Sequence, residues 1–186
     1  MCIRDRKYTI KKLQEEKSQG IKRNHLYFWG HQPNKDGSIG KSCLSQWWEQ
    51  PFQVEDSTYP TAEHWMMAGK ARLFEDQEIL EKILLSKHPH EAKKLGRQVR
   101  NFDQQIWEAH RYDIVLQGNV HKFGQHPALK TFILNTKNSI IIEASPVDKI
   151  WGIGLKGEDP RAARMEQWKG LNLLGFVLME VRDGLK

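Results

Sequence analysis

A shortage of strand constrains the fold of this chain more than any other feature. Across 186 residues, two segments read as strands: His25-Leu26-Tyr27-Phe28-Trp29, closed by Gly30, and Ser139-Ile140-Ile141-Ile142-Glu143. The second is β-branched, short and bounded by polar residues. Most of the rest is written at helical spacing. Thr61 opens the clearest helix as its N-cap, with His64 where a capping box would carry Glu or Gln, and the helix runs to about Phe74. Residues 76–85 place Ile79, Leu80, Ile83 and Leu84 on one face, and Pro89 starts a helix over 90–99. Residues 103–119 turn Ile106, Trp107, Ile114 and Val115 inward, and Pro127 opens a helix through Leu129, Phe132 and Leu134. Residues 172–182 form a closing helix with Leu173, Phe176, Val177 and Val181 inside. Pro51 breaks any helix in the aromatic-rich stretch 44–52, and residues 55–60 read as a turn. Many helices and few strands give an α+β fold, a predominantly helical single domain with a small β-sheet. The length suits one well-buried core.

The net charge is +6, which favours an anionic partner such as a phosphate, a nucleotide or a nucleic acid. Part of the excess is local: Arg4, Arg6, Lys7, Lys11, Lys12, Lys17, Lys22 and Arg23 lie in a segment with a short helix expected around 10–17. Residues 1–24 are therefore expected to be a basic, flexible leader. No aromatic ring interleaves with these charges as single-strand binding would require. No run approaches a membrane span, and residues 1–6 lack the apolar stretch of a secretory signal. Cys2 and Cys43 cannot build a disulfide framework, so a reducing, cytoplasmic location is expected, with Cys43 read as a small buried thiol.

Two constellations carry chemistry. In the first, Glu63, Met66, Met67, Lys70 and Phe74 share one helical face, with Glu63 in the first turn and Lys70 two turns on. A carboxylate and an amine in an apolar stripe would both lose hydration, unless the stripe is core and its charged ends reach water. In the second, Glu143-Ala144-Ser145-Pro146-Val147-Asp148 puts one carboxylate at a strand end and another after a proline turn, followed by Trp151-Gly152-Ile153-Gly154. The glycines allow close backbone approach and Trp151 offers a flat face for a base or ribose. The alternative is an Asp turn cap beside a core Trp. Gly152-Ile153-Gly154 is not a dinucleotide fingerprint, and neither a phosphate-binding P-loop nor a serine elbow is present. His88 and His90 flank Pro89, and His121 and His126 are scattered, so no metal and no cofactor is expected.

The chain resembles the NADAR family, also called YbiA-like or DUF1768, from about Tyr27 to Arg182. The residues that carry the resemblance include Phe28-Trp29 with Pro33, Glu63-His64-Trp65 with Lys70-Ala71 and Phe74, and Leu95-Gly96-Arg97. Trp107, Lys122-Phe123, Glu143-Ala144-Ser145 with Asp148, Trp151-Gly152-Ile153-Gly154, and Trp168, Gly170 and Asn172 follow in order. Met67 stands where many members carry Gln, and Gly30-His31 replaces a common Ser-Asn pair; both bear on substrate identity rather than reaction class.

The resemblance implies residues 25–186 as a catalytic domain that hydrolyses the C–N bond between ribose C1 and a base nitrogen. Two substrate classes follow from it: phosphoribosylamino-pyrimidine intermediates of riboflavin synthesis, or ADP-ribose on guanine bases in nucleic acid. It implies Glu63, Lys70 and Asp148 as catalytic residues, with Trp29, His31, Trp65, Arg97, Trp151, Gly152 and Gly154 binding substrate. A carboxylate would stabilise positive charge at C1 or activate water. Lys70 would be a Schiff-base nucleophile, an acid or a phosphate ligand, and Arg97 would pair with phosphate. The rival is a module that binds ADP-ribose or a nucleotide without turnover, which would need the cleft but not Glu63, Lys70 and Asp148 together.

Overall fold

The computed structural model describes residues 6–186. The first five residues of the expected leader, Cys2 and Arg4 among them, lie outside the described residues. Among the described residues seven α-helices are formed: α1 (Ile10–Ser18), α2 (Ala62–Leu73), α3 (Gln77–Leu85), α4 (Pro89–Gly96), α5 (Gln104–Gln125), α6 (Pro127–Asn135) and α7 (Leu173–Gly184). Four short strands accompany them: β1 (His25–Phe28), β2 (Phe52–Val54), β3 (Ser57–Tyr59) and β4 (Ile140–Glu143). This is the expected α+β architecture with a small sheet.

Local chemistry explains most boundaries. Thr61 caps α2 by accepting the His64 N–H, and its hydroxyl also meets His64 Nδ1 at 2.8 Å, so His64 completes a variant cap with its ring. Asp76 and Asp103 accept the N–H groups of Ile79 and Ile106 to cap α3 and α5. Pro89 and Pro127 begin α4 and α6, where a missing N–H costs nothing.

β1 and β4 pair in parallel, His25 opposite Ile140 and Phe28 opposite Glu143. A parallel pair needs a long crossover, and everything from the β2–β3 hairpin to α6 supplies it. Ile140, Ile141 and Ile142 are all buried under α7, whose residues from Leu173 to Arg182 are buried all round. The far edge of β4 is closed by one side chain. Asn172 accepts the Glu143 N–H at 3.0 Å and donates to the Ile141 carbonyl at 3.0 Å, standing in for a third strand. Asn172 is left-handed (φ 52°), a conformation asparagine tolerates better than most residues.

Three features depart from the sequence reading. Residues 52–54 and 57–59 form an antiparallel hairpin across Glu55 and Asp56 where only a turn was expected. The strands are three residues each, too short to show alternation. Helix α5 continues past residue 119 to Gln125. Gly118 lies inside it, where a Cβ would stand 2.3 Å from the Trp65 ring, so the glycine makes room for packing.

The leader is the third departure, because from Lys7 onward it is packed rather than free. Tyr8 and Leu13 are buried, the Tyr8 hydroxyl donates to Asp183 at 2.6 Å, and the Lys7 N–H donates to Glu180 at 3.0 Å. Both acceptors lie on α7, so the segment is fastened to the most buried helix. Among the described residues no helix is long and apolar enough to cross a membrane. Cys43 is a free, buried thiol, pushed up to about 11 by burial.

Candidate active site

A cleft of about 350 Å³ opens between α2, α4, the start of α5 and the loop after β4. From α2 come Glu63, Met66, Met67 and Lys70; from α4, Lys93, Gly96 and Arg97; from α5, Trp107. Glu143, Asp148, Ile150 and Trp151 close the opposite side, and Ser45, Gln46 and Trp47 form a third wall. Segments more than seventy residues apart in sequence thus meet at one place.

The carboxylates are the unusual feature. Glu63 is 3% exposed, and among the described residues its Oε1 has no hydrogen-bond partner. Burial is the main reason its carboxyl is pushed up to about 7; Lys93, a Trp47 side-chain hydrogen bond and Arg97 pull the other way. Glu143 ends β4 with its Oε2 sealed and likewise without a partner among the described residues. Burial, then the neighbouring Asp148 and Glu63 charges, push it up to about 8 against the pull of Lys93. Asp148 Oδ1 accepts the N–H groups of Ile150 and Trp151, both at 2.8 Å, so the turn that seats Trp151 also fixes this carboxylate.

Lys70 meets its surroundings through one hydrogen bond and two rings, those of Phe102 and Trp107. Its Nζ donates to the Gly96 carbonyl at 2.8 Å and lies 4.2 Å from the centre of the Phe102 ring. Burial lowers its pKa from the usual lysine value. The third wall is held from behind by α5. Lys122 is fully buried and donates to the carbonyls of Cys43 and Ser45 at 2.7 and 2.8 Å. Asn119 donates to Gln46 Oε1 at 2.8 Å, and the Glu63 N–H donates to the Gln46 carbonyl. Among the described residues no cluster of His, Cys, Asp and Glu is arranged to hold a metal ion.

A family model for the NADAR domain matches residues 27–186. The chain belongs to the NADAR family. An N-glycosidase of Acanthamoeba polyphaga mimivirus is 43% identical to it over 162 residues, covering 84% of this chain and 95% of that one. N-glycosidase YbiA of Escherichia coli K12 is 31% identical over 135 residues, covering 73% and 76%. The NMR structure of E. coli YbiA matches with a TM-score of 0.69 at 25% identity, covering 100% of this chain and 93% of that one. A riboflavin biosynthesis protein, PYRR of Zea mays, is 34% identical over 133 residues, 68% of this chain but 20% of its own length. This NADAR chain is therefore an N-glycosyl hydrolase.

The residues expected for substrate divide in the NADAR fold. Glu63, Lys70, Arg97, Asp148 and Trp151 line the cleft together. Trp65 does not. Its indole donates to the Ile114 carbonyl at 2.7 Å and its ring packs against Tyr59, Phe52 and His121, so it braces α2 on α5 and the hairpin. Trp29 is 57% exposed and outside the cleft lining. His31 lies behind the third wall, its ring 5.5 Å from that of Trp47. Gly152 and Gly154 make room for neighbouring chain. A Cβ on Gly152 would stand 2.8 Å from the Glu143 carbonyl, and Gly154 has φ +66° with Lys169 at 3.0 Å.

Glu143, Lys93 and Trp47 belong to the site although sequence reading gave them no role. For Glu143 the signal existed, since a strand-end carboxylate precedes Asp148 by five residues. Lys93 lies one turn before Arg97 on α4. Trp47 lies in a stretch without regular structure, where no periodicity reveals facing.

Proposed function

We propose that the cleft hydrolyses the bond between ribose C1 and the amino nitrogen of a phosphorylated ribosylamino-pyrimidine. The observation that carries this reading is the placement of two proton-holding carboxyls, Glu63 and Glu143, beside a neutralisable amine, Lys70, under a basic pair, Lys93 and Arg97. The volume lies at the small end of the range for ligand sites, about 300–1,000 Å³, which suits a one-ring base on a single riboside phosphate. The named role of the maize relative in riboflavin biosynthesis points to the same substrate class.

The roles follow from the surroundings. Arg97, with Lys93 one turn away, pairs with the phosphate as a planar fork. Trp151 stacks on the base. Lys70, in its neutral form, attacks C1 and displaces the base. Glu63, when ionised, then takes a proton from the water that displaces the lysine, and Asp148 offsets the positive charge that builds at C1. Incubating the protein with a phosphoribosylamino-pyrimidine and following free base by chromatography tests the reading. Release of base together with ribose phosphate is expected. Release of ADP-ribose from an ADP-ribosylated guanine oligonucleotide, with the aminopyrimidine untouched, would replace it with the nucleic-acid reading.

A further inference from the structure

Breaking a bond from C1 to an amino nitrogen leaves a strongly basic anion unless a proton arrives as the bond breaks. We propose that Glu143 is the residue that delivers this proton, acting as general acid on the leaving nitrogen. The inference rests on the function proposed above and adds a residue and a step to it.

The geometry comes first. Glu143 is the last residue of β4, and its backbone is held on three sides. Its N–H donates to Asn172 Oδ1 at 3.0 Å, its carbonyl accepts the Ile153 N–H at 2.9 Å, and it sits opposite Phe28 in the sheet. A rigid strand end therefore aims the side chain at the cleft that Glu63, Asp148 and Trp151 also line. Its Oε2 is sealed from solvent and has no hydrogen-bond partner among the described residues. A polar atom buried without a partner costs about 1–3 kcal/mol, and a fold retains it where a ligand atom completes it.

The charges around the cleft separate the two glutamates. Glu63 and Lys70 face it from α2, Lys93 and Arg97 from α4, and Asp148 from the loop after β4. Glu63 already takes a hydrogen bond from Trp47 and feels both Lys93 and Arg97, which favour its ionised form. Glu143 is opposed by two carboxylates and relieved only by Lys93, and its carboxyl is pushed up to about 8. Neighbouring cations favour the ionised form of Glu63 and neighbouring carboxylates the protonated form of Glu143, the arrangement of a base beside an acid.

The step balances. The bond from C1 to the base nitrogen breaks and its electron pair stays on nitrogen, which takes the proton from Glu143. Lys70 bonds to C1, and water then replaces it, giving its proton to Glu63. Transfer of that proton from Glu63 to Glu143 restores the starting state. No oxidant or co-reactant is needed.

The test uses Glu143→Gln in the full-length protein, with a series of phosphoribosylamino-pyrimidines whose leaving amines are made progressively less basic by electron-withdrawing groups. General acid catalysis contributes about 10²–10⁴-fold. Glu143→Gln is expected to lose at least 100-fold in kcat on the most basic amine and under about 10-fold on the least basic, with KM little changed. In the wild type, without any substitution, kcat should fall above about pH 8 for the most basic amine and much less for the least basic. That arm stands even if the variant fails to fold. Equal losses across the series, or an alkaline limb independent of the leaving group, overturns the assignment alone. A wild type that releases no base from any member overturns the proposed function and the assignment with it.

Discussion

Lys70 donates a hydrogen bond to the Gly96 carbonyl and rests over Phe102, and burial favours its neutral form. An arginine keeps the positive charge but forms no bond to C1. Lys70→Arg is expected to lower turnover at least 100-fold while substrate binding, measured calorimetrically, stays within a few-fold. In the lysine-bound sugar the C1–O4 bond can break, O4 taking the proton of the lysine nitrogen to leave a Schiff base, so borohydride added during turnover should leave a sugar phosphate on the wild-type protein, visible by mass. A fully active Lys70→Arg with no adduct would make Lys70 a phosphate ligand. The glutamates allow a second measurement at this scale. Glu143 has a folded pKa raised to about 8 from an ordinary 4.5, so the folded protein holds a proton that the unfolded chain loses. Its stabilising contribution is complete below about pH 4.5 and is lost as pH rises towards 8. Glu143→Gln removes this loss, so its melting temperature should gain on that of the wild type as pH rises from 5 to 7.

At the scale of elements, α5 organises the wall formed by residues 43–47, which has no regular structure beyond a short 3-10 turn at Lys41–Leu44. Lys122 reaches two carbonyls from a site without solvent, and burial brings its pKa down to about 7. Lys122→Met leaves both carbonyls unpaired and should destabilise the fold by about 2–6 kcal/mol, at about 1–3 per lost partner. Ser45, Gln46 and Trp47 line the cleft, so KM should rise more than kcat falls; denaturant melts and kinetics below the transition check both. A variant with wild-type stability and KM would show that the wall stands without its anchor. The sequence names Lys122 but cannot show its burial. It reaches its carbonyls across 77 and 79 residues.

For the whole molecule, the basic segment before the sheet is a structural part from Lys7 onward, packed on α7 with some of its charges paired internally. Asp183 takes Lys7 and Lys186, and Glu16 takes Arg23. Lys17 and Lys22 of the same segment stay exposed. Removing residues 1–24 uncovers the sites of Tyr8 and Leu13, which at about 1.5–3 kcal/mol per buried side chain should cost about 3–6 kcal/mol. Among the described residues of that segment none lines the cleft. Turnover per folded molecule on the small substrate should therefore survive, measured at low temperature against a melting curve. Loss of that activity in protein that is still folded would place the segment in the site.

Local signals along the chain set most of the elements and name most of the reactive groups. Caps at Thr61, Asp76 and Asp103, prolines at 89 and 127, and the isoleucines of β4 act through neighbours within a turn or two, so their effects are readable in order along the chain. The tertiary structure decided which of these groups share a cleft. Glu63 and Lys70 could equally have been a core stripe with charged ends in water. Only the crossover between β1 and β4 sets them against Asp148 and Glu143, and only α4 adds Lys93 and Arg97. It also decided what Trp65, Gly152 and Gly154 pack against, because those neighbours lie elsewhere along the chain. The raised carboxyls belong to the same level: burial and neighbouring charge are properties of assembled surroundings, and no spacing along a chain encodes them.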